Sequence, residues 1–371
     1  MNNALSLDTV RLSGNGKEII LLDQTLLPNE CKYISIKTAG DIWEAIYMLR
    51  VRGAPAIGCT GAYAYYVLAD QLETEDKQEF AEQCREQMEY INSSRPTAVN
   101  LSWALNRMHR VMLASLESMS LPQLKKRLRG EADAIYHEDI EISRSIGAYG
   151  FELLEQLGKG VGIMTHCNAG SLATAKYGTA LAPMYIALEH GWDPKKDLHV
   201  YCDETRPLLQ GARLSAFEMQ SAGIDTYVQC DNMASYTMKS GKIGIIFVGC
   251  DRVAANGDFA NKIGTSGVAI IAKHYGIPFY VCAPSSTIDM TLESGDEIRI
   301  EQRKPEEVTE MWYEKRMAPE GVGVVNPAFD VTEHELVTGI ITEKGIARAP
   351  FKEAFEAMGI RPVEKFVDGK V

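Results

Sequence analysis

Apolar positions change their spacing twice along the chain, and each change predicts a different kind of element. Between residues 8 and 37 they form short β-branched runs, Val10-Arg11-Leu12, Ile19-Ile20-Leu21-Leu22 and Tyr33-Ile34-Ser35-Ile36, with a Gly14-Asn15-Gly16 turn after the first. That pattern predicts a small antiparallel sheet. From about 39 to 158 the apolar residues recur at three and four: Ile42, Ala45, Ile46 and Leu49 set the face, and similar faces run through 57–72, 77–91, 97–117 and 131–157. These are helices, each burying one stripe. Beyond Gly158 and Gly160 the chain turns to short apolar runs, Val161–Thr165, Leu198–Tyr201, Asp225–Val228, Ile243–Val248 and Pro278–Val281, with helical stretches between them closing at Gly191, Gly223, Gly241 and Gly276. Glycine is the usual residue of a left-handed helix stop, and buried strands alternating with helices predict a parallel sheet wound in both directions. The expected fold is therefore α/β: an N-terminal β-arm with a helical domain over 1–158, then a Rossmann-like, doubly wound domain carrying the chemistry over 159–371.

Composition narrows the function. With 46% hydrophobic positions among 371 residues, the chain has ample surface for a core. The 38 Lys and Arg against 50 Asp and Glu give a net charge of −12, which opposes non-specific attraction to nucleic acid or to an anionic membrane. Met1 to Asp8 lack a basic stretch followed by an apolar one, and no run approaches the roughly 18 apolar residues of a membrane helix, so a cytoplasmic protein is expected. The 8 cysteines are dispersed without a CxxC pair, the 7 histidines form no HExxH, and neither GxGxxG after a first strand nor a Walker A sequence is present. A metal, NAD or ATP site is therefore not expected.

In a doubly wound sheet ligands bind beyond the carboxyl ends of the strands. The residues there are conspicuously polar: Thr165-His166-Cys167-Asn168-Ala169-Gly170-Ser171, Cys202-Asp203-Glu204-Thr205-Arg206-Pro207, Cys250-Asp251-Arg252 and Ala283-Pro284-Ser285-Ser286-Thr287. Together they offer acid, base, thiol and amide groups.

Several segments, in order over nearly the whole chain, closely resemble the methylthioribose-1-phosphate isomerase family: Val51-Arg52-Gly53-Ala54-Pro55-Ala56-Ile57-Gly58, Ser94-Arg95-Pro96-Thr97-Ala98-Val99-Asn100-Leu101, Thr165–Gly170, Asp203–Pro207, Gly249–Arg252, Asn261–Thr265 and Asn326–Asp330. That family is related in fold to archaeal ribose-1,5-bisphosphate isomerase and to regulatory subunits of a translation-initiation nucleotide-exchange factor. The resemblance implies a conversion of 5-methylthioribose 1-phosphate to the ribulose 1-phosphate without cofactor or metal. It implies Cys167 and Asp251 as the catalytic pair, with Asp251 the proton donor, and Arg52, Gly53, Ala54, Arg95, Gln210, Asn261 and Lys262 as substrate-binding residues. A homodimer is expected on the same ground.

The chemistry agrees with these residue types. A 1-phosphate ester locks the sugar as a cyclic acetal, so ring opening comes first and needs an acid at the ring oxygen. Asp251 at a strand end inside an apolar crevice would stay protonated, because burial disfavours the carboxylate; its plainer role is to cap the next segment or pair with Arg252. Cys167 lies ahead of a helix expected near Ser171, whose dipole would favour a thiolate. The remaining cysteines, Cys202, Cys230, Cys250 and Cys282 among them, read as core residues. Arg52-Gly53-Ala54 before Pro55 offers a guanidinium and close backbone approach to a phosphate, Arg95 precedes another helix, and Lys262 opens a helical stretch over 262–275. Gln210, on a helix after Pro207, rests on the resemblance alone. Two rivals remain. One is an isomerase of another 1-phosphorylated pentose, 5-deoxyribose 1-phosphate or ribose 1,5-bisphosphate; the other is a non-catalytic regulatory protein on the same fold.

Overall fold

The structure, a computed structural model, describes residues 7–96 and 98–361, so Thr97 of the Ser94–Leu101 motif lies outside the described residues, as does most of the Met1–Asp8 stretch. It divides into two compact units. The first comprises residues 1–144 and 169–178, the second 145–168 and 179–371.

The first unit opens with an antiparallel sheet in the order β1 (Val10–Leu12), β2 (Ile19–Leu22), β3 (Tyr33–Ile36). Five helices follow: α1 (Ala39–Tyr47), α2 (Ala54–Gln71), α3 (Lys77–Asn92), α4 (Val99–Leu116) and α5 (Leu121–Leu157), the last continuing in sequence into the second unit. Helix α2 is buried on every side from Ala56 to Ala69, the mark of a central helix. It belongs to one apolar cluster with Leu101, Leu105 and Met108 of α4 and Ile19 and Leu21 of β2. The sequence pattern starts the last helix near 131, whereas α5 begins ten residues earlier. Gly130 punctuates the pattern without breaking it, since an isolated helical glycine costs only about 1 kcal/mol.

The second unit is built on a seven-stranded sheet. In chain order its elements are β4 (Gly162–Thr165), α6 (Ala182–Glu189), β5 (His199–Asp203), α7 (Ala216–Ser221), β6 (Asp225–Gln229), α8 (Ala234–Lys239) and β7 (Ile243–Val248), then β8 (Arg252–Ala254), β9 (Phe259–Lys262), α9 (Thr265–Tyr275), β10 (Phe279–Cys282), β11 (Ile288–Asp289), α10 (Glu306–Thr309), β12 (Phe329–Thr332), β13 (Gly339–Thr342), β14 (Gly345–Ala347) and α11 (Phe351–Ala357). The sheet runs β14-β13-β10-β7-β4-β5-β6, parallel throughout except for the β13–β14 hairpin at one edge. The four expected stops, Gly191, Gly223, Gly241 and Gly276, all have φ between 69° and 83°. A second sheet, β11-β8-β9-β12, was not legible beforehand, because strands of two to four residues leave no periodic signature.

The strand order fixes where a ligand should bind. The chain enters the sheet at β4, lays β5 and β6 on one side, and crosses to place β7, β10 and β13 on the other. The winding direction therefore reverses between β4 and β7. At such a switch point the connections leave in opposite directions and open a crevice at the carboxyl ends.

Candidate active site

Cys167 follows β4 and Asp251 follows β7, the two strands that flank the switch point. Met164 of β4 is paired with Ile246 of β7, so both chains leave the sheet at the same level. Gln210 follows β5, the neighbour of β4 on its other side. Two hydrogen bonds draw the remaining second-unit residues to this end. The Asp251 N–H donates to the Ala260 carbonyl at 2.9 Å, which sets Asp251 beside β9 just ahead of Asn261 and Lys262. His166 Nε2 donates to the Ile263 carbonyl at 2.8 Å, which brings the residue after Lys262 to the one before Cys167. The segment 260–263, which carries Asn261 and Lys262, is thus bonded at one end to Asp251 and at the other to the neighbour of Cys167.

Cys167 is buried and sits at φ 66°, a left-handed conformation that non-glycine residues adopt at a cost and that clusters at functional sites. What holds it is visible. Its N–H donates to Thr205 Oγ1 at 2.8 Å, and its carbonyl accepts from Ser215 Oγ at 2.6 Å. Thr205 is itself left-handed at φ 62°. Asp231 stabilises that turn by accepting the N–H groups of Thr205 and Arg206, both at 2.7 Å. Gly211 lies so close to the Asp203 carbonyl that a Cβ would stand 1.7 Å from its oxygen. The next side chain, Asn168, donates to Ser215 Oγ and to Glu218 Oε1, and Glu218 also accepts from Tyr185. The turns after β4 and β5 are in this way one interlocked structure.

Two expectations about this end are corrected. No α-helix begins near Ser171: Ser171–Ala173 is a single 3₁₀ turn, and α6 starts only at Ala182. A helix dipole therefore does not act on Cys167. Asp251 is exposed and not enclosed in an apolar crevice, because it precedes β8 at the open end of the sheet. Lys262 also differs from expectation, since it closes β9 and α9 begins three residues later; its ammonium lies 4.1 Å from the centroid of the Phe329 ring. Asn261 is buried and donates to Thr265 Oγ1. Gln210 leads into one π-helical turn, Gly211–Ser215, ahead of α7. Its side chain is buried with Oε1 unpartnered among the described residues, and Thr165 Oγ1 at the end of β4 is likewise unpartnered. Buried polar atoms without partners are rare. Cys202 and Cys282 are core residues as expected, whereas Cys230 and Cys250 are only partly buried. Burial, Asp251 and Cys282 together hold the Cys250 thiol well above its ordinary pKa, so it is a poor nucleophile.

Arg52, Gly53, Ala54 and Arg95 belong to the first unit. Gly53 caps α2 at φ 89°, with Pro55 in the first turn. A Cβ on Gly53 would lie 2.4 Å from the Ala173 carbonyl oxygen, so glycine is required both for space and for conformation. Arg52 therefore leads directly into the free N–H groups of an 18-residue helix, a ready anion cradle. Arg95 lies in the turn between α3 and α4, its carbonyl accepting from the Ala98 N–H.

Residues 50–349 match the initiation factor 2 subunit family, a span that takes in every residue of the strand-end cluster. The chain belongs to that family. As a member of it, the chain is 54% identical to the methylthioribose-1-phosphate isomerase of Symbiobacterium thermophilum over 96% of this chain and 98% of the relative. It is also 54% identical to the 5-deoxyribose 1-phosphate isomerase of Bacillus cereus, over 90% of this chain and 94% of the relative. Among solved structures, the 5-methylthioribose 1-phosphate isomerase of Pyrococcus horikoshii superposes with a TM-score of 0.89 at 41% identity, covering 96% and 97% of the two chains. The initiation-factor family thus includes sugar-phosphate isomerases, and this chain is similar to them across its length.

Two groups of the site lay inside quoted motifs without being singled out: the His166–Asp203 pair and the Thr205 hydroxyl. Their signal was position, since His166 directly follows β4, Asp203 ends β5 and Thr205 lies two residues beyond it. His166, Asp203 and Asp231 bring one ligand atom each within 4.8 Å of one another, as do Asp258, His334 and Glu335. In the first group both ring nitrogens of His166 and both oxygens of Asp231 are already engaged, which leaves a poor donor set for an ion. No described helix is long and apolar enough to cross a membrane.

Proposed function

We propose that the protein is an aldose–ketose isomerase that converts 5-methylthio-α-D-ribose 1-phosphate to 5-methylthio-D-ribulose 1-phosphate in methionine salvage. One observation carries the reading: a strained, buried thiol and a carboxyl follow the two strands that flank the switch point. Asp251 donates a proton to the ring oxygen as its bond to C1 breaks. Hydrogen then moves from C2 to C1 and the 2-hydroxyl releases its proton, so the product is the 2-ketone and no co-reactant is consumed. Cys167 either takes the C2 proton as thiolate, giving an enolate, or stabilises the charge that accompanies a hydride shift. Asp251 is exposed in the free protein, and a bound sugar displaces water from it. Arg52, Gly53, Ala54 and Arg95 hold the phosphate, and Gln210, Asn261 and Lys262 orient the sugar hydroxyls. The protein works in the cytoplasm as a homodimer.

A second reading changes the 5-substituent. The Bacillus cereus relative carries the name of a 5-deoxyribose 1-phosphate isomerase, and that sugar needs the same acid and thiol. Purified protein without metal or nucleotide should convert 5-methylthioribose 1-phosphate, followed by proton NMR at C1 and C2. Cys167→Ser and Asp251→Asn should each lower turnover by about 10²-fold or more, the usual contribution of a positioned proton-transfer group. Full activity in either variant removes that residue from the mechanism. Inactivity of the unaltered protein on every 1-phosphorylated pentose returns it to a regulatory role. In deuterated water, label at C1 marks the enolate route.

A further inference from the structure

His166 sits wholly buried between two acceptors. Its Nδ1 lies 3.1 Å from Asp203 Oδ2 and its Nε2 lies 2.8 Å from the Ile263 carbonyl oxygen. A carbonyl can only accept, so Nε2 carries a proton. The contact at Nδ1 then requires one more proton, on the ring or on Asp203. Burial raises the Asp203 carboxyl above its ordinary range, and its hydrogen bonds to His166 and Gln229 work against that. Its Oδ1 accepts from Gln229 Nε2 at 2.8 Å, and the Gln229 amide is fixed in that orientation because its Oε1 accepts from Thr237. Two further carboxylates face the imidazole. Asp231 accepts two backbone N–H groups from the turn after β5, and Asp330 on β12 accepts those of Gly264 and Ser266. At Asp330 burial outweighs these two N–H bonds and raises the carboxyl above its ordinary range. Three acidic side chains thus surround one buried imidazole. Burial works against the charge on His166, but Asp203, Asp231 and the Ile263 carbonyl more than offset it, and the ring stays protonated above its ordinary range.

We propose that His166 is a permanent imidazolium acting as a positioning residue for the reaction: it clamps the segment bearing Asn261 and Lys262 to the end of β4 and holds a fixed positive charge behind Cys167. The clamp is tight. Gly264 packs on the ring, where a Cβ would stand 2.8 Å from Cε1, so the segment cannot approach this closely with any other residue. The charge has a direct use. With only a single 3₁₀ turn starting at Ser171, the imidazolium of the preceding residue takes the part the dipole was expected to play in favouring a Cys167 thiolate.

This inference rests on Cys167 being the reacting thiol, and the experiment separates the two. Long-range proton–nitrogen NMR of the full-length protein with labelled histidine reports the ring state without substrate; His166→Gln assigns the signal. Both ring nitrogens should remain protonated at about pH 8, where an exposed imidazole is neutral. An unprotonated Nδ1 overturns the proposal. The second arm is iodoacetamide alkylation of Cys167, mapped by peptide mass spectrometry across pH. His166→Gln and Asp203→Asn, each checked for a native circular-dichroism spectrum, should lower the rate near pH 7 by about tenfold, the effect of a one-unit rise in thiol pKa. They should lower kcat with little change in KM. Alkylation rates equal to those of the unaltered protein overturn the role behind Cys167. Failure of the unaltered protein to turn over any pentose 1-phosphate would instead count against the proposed function, leaving the ring state measured by NMR intact.

Discussion

Replacing Thr205 separates the backbone cost of this position from the work of its hydroxyl. A β-branched residue at φ 62° is strained, and glycine there would recover about 1 kcal/mol, less a similar entropy cost from the freer unfolded chain. The hydroxyl makes two bonds, accepting from the Cys167 N–H at 2.8 Å and donating to the Asp203 carbonyl at 3.1 Å. Losing them should cost about 1–3 kcal/mol in a buried setting. Thr205→Gly is therefore expected to lower stability by about 1–3 kcal/mol, because the relief of strain and the entropy cost offset each other. Catalysis has no such compensation. If the bond fixes the Cys167 backbone, its loss lets the thiol drift, and a drift costing about 1.4–2.7 kcal/mol lowers kcat about 10- to 100-fold. Thr205→Ser keeps the oxygen and should keep kcat within about threefold. The assay is turnover of the pentose 1-phosphate beside urea denaturation of each variant. Equal kcat in the glycine and serine variants refutes the reasoning, since the hydroxyl is the relevant difference between them.

Other predictions follow from single contacts. Arg52→Met should raise KM for the sugar phosphate by about 10-fold or more with a smaller change in kcat, the share of a charge-assisted phosphate contact; an unchanged KM removes Arg52 from phosphate binding. Gly53→Ala forces a Cβ to 2.4 Å from the Ala173 carbonyl oxygen at φ 89° and should destabilise the protein by more than about 2 kcal/mol, seen as a lower urea midpoint. Asp139, partly buried, accepts the Ala175 N–H at 2.6 Å, and burial pushes its pKa to about 7. The folded protein thus keeps a proton that the unfolded chain releases near pH 4, so this contribution is complete at low pH and is lost as pH rises towards 7. Between about pH 5.5 and 7 the loss is at most about 2 kcal/mol, less to the extent that solvent screens the group. Asp139→Asn should flatten that slope; a stability difference between variant and unaltered protein that stays constant across this range would sink the assignment.

Sequence periodicity located the elements that are long or buried. Helix α2, with fourteen consecutive buried positions, and β7, with its unbroken apolar run, could hardly be anything else. Glycines at helix stops were equally legible, because a left-handed residue has few substitutes. Short elements were not: β8 and β9 carry three and four residues, and their pairing is what places Asp251 beside Asn261. The polar strand ends pointed to the region of the site, and the resemblance supplied individual residues. Neither could reveal what locks Cys167. That depends on Thr205 and Ser215, 38 and 48 residues away, meeting through turns whose geometry no local pattern encodes. Burial of Asp251 was misjudged for the same reason, since strand-end position fixes direction but not depth.

Neither compact unit is a contiguous stretch of polypeptide. The chain passes from the second to the first immediately after Asn168, and residues 169–178 supply both Ala173, against which Gly53 is fitted, and Ala175, which holds Asp139. A gene cut after codon 144 would encode a first unit lacking the partner of its own helix cap. Its second unit would begin a few turns before Cys167 and keep the ten residues 169–178 that belong with the first. A single cut at this point therefore cannot separate the two units.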